Sequence, residues 1–186
     1  MNHLVVYKRK GLRRDYVQLM LDGEKTLDIK FSNRRVPPFN TLNKGDHMYI
    51  KESSGPVVGR CSISNFKYFD FQKDGDMLAL LMEHGERIGI ESEEEAIRLF
   101  EKRNGYRYMT LFELEEPIAL PHPIRVEKHD MRVWVANYQL PLELRLAFGL
   151  EGDEIGREFS KELEVSGDDL SDLDTGESEN YMGPIR

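Results

Sequence analysis

The chain has 186 residues, of which 39% are hydrophobic and 32% charged, with a net charge of −8. That length suits one domain with appendages. Its single cysteine, Cys61, excludes an intrachain disulfide and fits a cytoplasmic protein. No apolar run reaches the length of a membrane span, and the apolar part of "MNHLVVYKRKG" is too short for a signal peptide, so no membrane partner is expected. The charge is polarised. Residues 1–70 carry 13 Lys/Arg against 7 Asp/Glu, residues 71–165 carry 12 against 21, and residues 166–186 carry 1 against 6. A basic front portion attracts phosphates even on an acidic chain, because salt screens the distant charges.

In chain order, "HLVVY" at 3–7 is short, apolar and β-branched, and predicts a strand. "KRKGLRR" at 8–14 is a basic loop. Asp15 is placed to N-cap a helix running to about Asp22, with Gly23 just past its end. Residues 25–31 alternate with period two and predict a strand with one buried face. "SNRRVPPFNTLNKGD" is a long loop interrupted by Pro37 and Pro38. "HMYIKE" predicts a strand, "SSG" a hairpin connection, and "PVVGRCSISNFKYFDF" a long strand bent at Gly59. Residues 76–84 predict a helix. Ser92 with Glu95 forms a capping-box pattern before a second helix, which Asn104-Gly105 ends. "YRYMTLFEL" predicts a strand and "EEPIALPHPIRV" an extended, proline-punctuated segment. "RVWVANYQ" predicts a further strand, Pro141 the start of a helix through Phe148, and residues 153–164 a final charged helix. From Ser166 the chain is acidic and polar, and a disordered tail is expected. The elements together predict an α+β fold, a small curled sheet or open barrel with helices packed on it.

Much of the usual catalytic vocabulary is missing. The histidines are not paired at metal-ligand spacing, and one cysteine cannot build a thiolate site, so no metal and no cofactor are expected. There is no phosphate-binding glycine loop and no nucleophile elbow. Cys61 and Trp134 read as core residues, as do most of Tyr49, Phe66, Tyr68, Phe69 and Phe71, although these rings are also the type on which bases stack. "KRKGLRR", with Arg34 and Arg35, is either a phosphate-contacting surface or a solvated loop. In "GEKTLDIKF", Thr26, Asp28 and Lys30 share a strand face opposite Leu27, Ile29 and Phe31. If the apolar face meets helices, the polar face looks into a cleft or barrel mouth; otherwise it is an exposed half-strand.

Three segments carry a family resemblance. "DGEKTLDIKF", "LNKGDHMYIKESSGPVVGRCSISNFKYFD" and "YMTLFELEEPIALPHPIRV" together resemble an ASCH domain, a family of the PUA-like superfamily of small nucleic-acid-binding barrels. The family hallmark is G-x-K-x-x-E-x-R. Gly23 and Lys25 match it, Asp28 stands for the Glu, and Lys30 for the Arg. Both departures keep the charge, but Asp is a methylene shorter and Lys lacks the bidentate fork. "KGD" at 44–46 and "VVGR" at 57–60 also match family habits. The resemblance covers residues 3–127. It implies an ASCH-like domain over 1–127. Residues 128–186 lie outside it: 128–165 are expected to form a strand and helix extension packed on the domain, and 166–186, from their composition, a disordered acidic tail.

The resemblance further implies an RNA- or nucleotide-binding cleft. Lys25, Thr26, Asp28 and Lys30 would line it, Lys25 and Lys30 meeting phosphate and Asp28 accepting from a base or ribose. Arg34 and Arg35 would guard its mouth. The alternative is a hydrolase of an acylated nucleoside or of RNA in the same cleft, with Lys25 and Asp28 catalytic. One branch of the family resembles an acetylcytidine amidohydrolase using a Lys, a Thr and a Glu. Lys25 matches the Lys; the Thr position holds Asp28, and the Glu position falls near Gly89, with Glu86 and Glu91 close but not aligned. A deacylating Lys needs a depressed pKa, and Asp28 beside Lys25 pushes the other way. A third reading is an interaction protein, in which the acidic tail and the Glu-rich helices bind a basic protein partner.

Overall fold

Among the described residues ten elements follow one another: β1 (Asn2–Tyr7), α1 (Tyr16–Leu21), β2 (Leu27–Ser32), β3 (Asp46–Glu52), β4 (Val57–Asp70), α2 (Met77–Ile88), α3 (Glu93–Arg103), β5 (Tyr108–Ile124), β6 (Trp134–Ala136) and α4 (Leu142–Ala147). The computed structural model describes residues 1–8, 14–73, 75–128 and 131–150. The basic residues 9–13, the expected helix over 153–164 and the acidic tail lie outside the described residues. Met1–Leu144 form one compact unit; a second unit begins at Arg145, where Gly149 N–H donates to the Leu146 carbonyl (3.0 Å).

The helix ends follow local chemistry. The Asp15 carboxylate accepts from Gln18 N–H, Asp76 from Leu78 N–H, and the Ser92 hydroxyl from Glu95 N–H, each supplying a partner to an otherwise orphaned donor. The capping box is displaced by one residue on its return side, because the Glu95 carboxylate accepts from Glu91 N–H (3.0 Å). Helix α2 runs to Ile88, four residues beyond its expected end. Leu81 and Ile88 are buried in one apolar cluster with Leu27, Ala96 and Met109, and that burial carries the helix through Gly85. The helix stops at Gly89, whose φ of +91° is open to glycine at no steric cost.

The six strands form one curled sheet in the order β2-β5-β4-β3-β1-β6, with flanking helices. Among these described strands β1 and β3 pair in parallel, and the other pairings are antiparallel. Strand β6 extends the sheet by pairing with β1, Trp134 opposite Val5, so the strand expected between 128 and 165 belongs to the sheet. The proline-punctuated segment is extended, as expected, and through Ile124 it forms the second half of β5. Strand β2 pairs with β5 only between Tyr108 and Glu113. Past Leu114, whose N–H donates to the Thr26 carbonyl (2.8 Å), β5 pairs with β4 alone among the described strands, and its open side tolerates Pro117, Pro121 and Pro123, which lack an N–H.

Alternation along the strands sorts the core into two clusters. Phe112 and Leu114 of β5 join Val5, Met48, Ile50, Cys61, Ile63 and Trp134 on one face, covered by Val17 and Met20 of α1. Met109 and Leu111 join Leu27 and Phe69 on the other, under α2 and α3. Trp134 and Cys61 are therefore core, and burial pushes the Cys61 thiol up to about 12. Strand β4 carries register shifts beside Gly59, where a Cβ would lie 2.5 Å from both the Ile118 carbonyl oxygen and Leu21 Cδ2. Gly59→Ala is expected to cost about 1–3 kcal/mol in urea denaturation, because backbone must move to admit the methyl. An unchanged midpoint would mean that β5 yields freely there.

Candidate functional site

The period-two pattern of "LDIKF" sends Leu27, Ile29 and Phe31 toward the helix-covered cluster and Asp28 toward the inside of the curl. There it meets β1. Strands β2 and β1 are not neighbours in the sheet, so no backbone ladder joins them. Side chains bridge the gap instead. The Tyr7 hydroxyl donates to Asp28 Oδ2 (2.6 Å), Lys30 Nζ lies 3.1 Å from the same oxygen, and Lys25 Nζ lies 3.1 Å from Oδ1. Lys30 also sits 4.0 Å from the centroid of the Tyr7 ring, a cation–π contact.

Lys25 is only 3% exposed and Asp28 only 5%. Lys25 Nζ donates to the carbonyls of Leu27 (2.6 Å) and Ile88 (2.7 Å) as well as to Asp28. An ammonium has three donors, and these acceptors use all of them. Ile88 is the last residue of α2, so the cation also meets the negative end of that helix. Asp28 has about four acceptor sites, of which Lys25, Tyr7 and Lys30 take three.

The electrostatics follow from burial and pairing. Burial opposes ionisation of Asp28, yet Lys30, Lys25 and the Tyr7 hydroxyl outweigh it, and its pKa lies well below the usual carboxylate range. Burial lowers the Lys25 pKa. Asp28 pushes it upward, as the residue types imply, but does not win. Burial, and then the Asp28 charge, raises the Tyr7 phenol well above its ordinary value. Among the described residues no group of three His, Cys, Asp or Glu side chains is placed to hold a metal ion.

A cleft of about 250 Å³ opens against this cluster. Tyr7, Tyr16, Lys25 and Asp28 line one side, and Ile29, Phe31, Ile88, Leu99 and Arg103 another. Both faces of β2 contribute because it is an edge strand, with the cleft along its free side. Thr26 is not brought to it. Its hydroxyl accepts from Arg87 Nε (3.1 Å), and Arg87 also binds Glu113. Arg34 is exposed, and Arg35 lies over the Tyr108 ring, 3.9 Å from Asp70; neither lines the cleft. Glu86 and Glu91 line a neighbouring groove with Arg14. Tyr49 and Phe69 are buried in the core, away from the cleft.

No family model matches the chain, and no curated protein matches it. Among solved structures, ASCH from Zymomonas mobilis is 12% identical over 81% of this chain and 94% of that one, with a TM-score of 0.54. A serine-to-alanine variant of the Zymomonas mobilis protein is 16% identical over 80% and 95%, with a TM-score of 0.53. The fold is that of an ASCH domain.

Within the ASCH fold the motif residues Lys25, Asp28 and Lys30 converge on one carboxylate. Tyr7, Tyr16 and Arg103 were not among the candidates read from sequence. Tyr7 ends β1 and Arg103 ends α3, 96 positions apart in the numbering. Only the curl of the sheet and the packing of α3 bring them to the motif. One signal was present: Arg103 follows Leu99 by four residues on the amphipathic face of α3.

Proposed function

We propose that this ASCH-fold protein binds RNA or a nucleotide, with one base entering the cleft beside Asp28. The observation that carries the reading is a buried Lys25–Asp28 pair, joined by the half-buried Lys30 and Tyr7, beside a small aromatic-walled cleft. Buried ion pairs contribute little to stability over an apolar replacement, so their place at a cleft favours a binding role. At about 250 Å³ the cleft is smaller than the roughly 300–1,000 Å³ of drug-sized sites, which suits a single base. Tyr7, Tyr16 and Phe31 offer ring faces. The one acceptor site left on Asp28 suits an N–H of a base; Lys30 does not line the cleft and acts through its contacts with Asp28 and the Tyr7 ring. Lys25 organises the carboxylate, its own donors being used. Arg34, exposed near the end of β2, adds long-range attraction for a phosphodiester chain.

The arrangement favours binding over hydrolysis. Three acceptors around Lys25 Nζ call for the ammonium, which has no lone pair for attack. Thr26, the nearest hydroxyl in the motif, is engaged with Arg87.

The test is a thermal-shift and calorimetric titration with short single-stranded RNAs and the four ribonucleotides at low and moderate salt. A ligand at a hundred times its Kd adds about 2.7 kcal/mol of stability, so binding is expected to raise Tm by several degrees. The rise should shrink as salt increases. A flat response to every member of the panel at low salt would overturn the reading.

A further inference from the structure

We infer that Arg103 makes the cleft selective for phosphorylated ligands, holding the phosphate of a bound nucleotide while the base lies against Asp28. This inference rests on the reading of the cleft as a nucleotide site and adds the charge class of its occupant. Arg103 ends α3 and lines the cleft beside Leu99 and Phe31. Its guanidinium is held by rings, with Cζ 5.7 Å from the centroid of Phe31 and 5.2 Å from that of Tyr106. The two rings meet edge to face at 6.2 Å, which limits where the guanidinium can go.

What the rings do not supply is an anion. Among the described residues no carboxylate forms an ion pair with Arg103, whereas Arg14, Arg35, Arg87 and Arg107 each have one. One hydrogen bond is made, Nη1 to the Tyr106 hydroxyl (3.2 Å), and the Nε–H is shielded from water with no partner. A guanidinium has five donors in a planar fork that matches phosphate oxygens. A cation fixed by aromatic faces, short of acceptors and facing a cleft is set up for an oxyanion. The second charged group of the cleft wall cannot take that part, because Lys25 has no donor to spare. Asp28 is already neutralised by Lys25 and Lys30, so it does not repel an entering phosphate as a lone carboxylate would.

The experiment is calorimetric titration of the wild type, Arg103→Gln and Arg103→Lys with the four ribonucleosides and their 5′- and 3′-monophosphates. At least one monophosphate is expected to bind about 10–100-fold more tightly than its own nucleoside, the span of a charge-assisted contact. Arg103→Gln should erase that preference, so that a monophosphate binds no more tightly than its own nucleoside, and Arg103→Lys should fall between. The Nε–H resonance of Arg103, identified by its absence in Arg103→Lys, should move with the monophosphate and not with the nucleoside. If nucleosides bind as tightly as monophosphates, or if Arg103→Gln keeps the preference, the inference fails while the cleft remains a base site. If neither class binds and short RNA is also ignored, the cleft reading fails and takes this inference with it. A purely structural Arg103 would lower Tm in both variants without changing the preference for phosphate, which also overturns it.

Discussion

Asp28→Ala is expected to destabilise the protein by about 3–5 kcal/mol, the loss seen when one member of a buried ion pair is removed. The reason is what remains. Lys25, 3% exposed, would keep two carbonyl partners but no counter-charge, and the Tyr7 hydroxyl would lose its acceptor. The hydrogen-bonded bridge between β1 and β2, which no backbone ladder replaces, would go with it, leaving the contact of Lys30 with the Tyr7 ring. For a chain of this size the loss corresponds to a fall in Tm of about 10 °C or more. Urea denaturation measures it directly. A loss under about 1 kcal/mol, the size of an exposed pair, would show that water relaxes the site and that the burial has little energetic weight. The double variant Lys25→Met/Asp28→Leu removes both charges and is expected to be more stable than Asp28→Ala alone, since no buried charge is left unpaired.

The same residue sets an acid limit. Because its folded pKa is depressed, Asp28 contributes stability that is fully present above the ordinary carboxyl value of about 3.9. That contribution declines as pH falls from there toward the lower folded value. The wild type should therefore lose stability more steeply below pH ~4 than Asp28→Ala does, and the two curves should converge at the acid end.

Leu99→Trp is expected to weaken RNA or nucleotide binding by more than about a hundredfold, the difference between an open and a filled site. Leu99 lines the cleft from α3, is half-buried and makes none of the Lys25–Asp28–Lys30 contacts, so an indole there fills a space of about 250 Å³ while leaving those side chains in place. Calorimetry with the ligand that stabilises the wild type gives the affinity, and circular dichroism checks that the fold is retained. Full binding by the folded variant would move the site elsewhere. The groove lined by Lys8, Ser53, Ser54 and Arg125 would then be the next place to look.

Much of this was legible in local sequence. The caps at Asp15 and Ser92 and the alternation of Leu27, Ile29 and Phe31 act over a few residues, and they placed α1, α3 and β2. The same alternation, with Gly23, Lys25, Asp28 and Lys30 in a spaced motif, pointed to the polar face of β2 and to an ASCH-type fold. The run from Tyr108 to Ile124 was harder. Its second half read as extended and punctuated by prolines, and the lack of β2 pairing beyond Glu113 is what lets those prolines sit in one strand with the first half.

The sequence by itself determined the strand and helix order among the described residues and the identity of the charged motif, because each depends on neighbours along the chain, and its one cysteine excluded an intrachain disulfide. Tertiary structure alone decided which charges are used up and which are available. Lys25 looked like a ligand-binding cation, yet the carbonyl of Ile88, 63 residues away, helps to consume its donors. Thr26 looked like a cleft residue, yet Arg87 claims its hydroxyl. Arg103 carried no motif, yet packing against Phe31 and Tyr106 leaves it as a cation without a carboxylate among the described residues. A donor's availability is a property of every acceptor within about 3 Å, and most of those acceptors are brought there by the fold rather than by the chain.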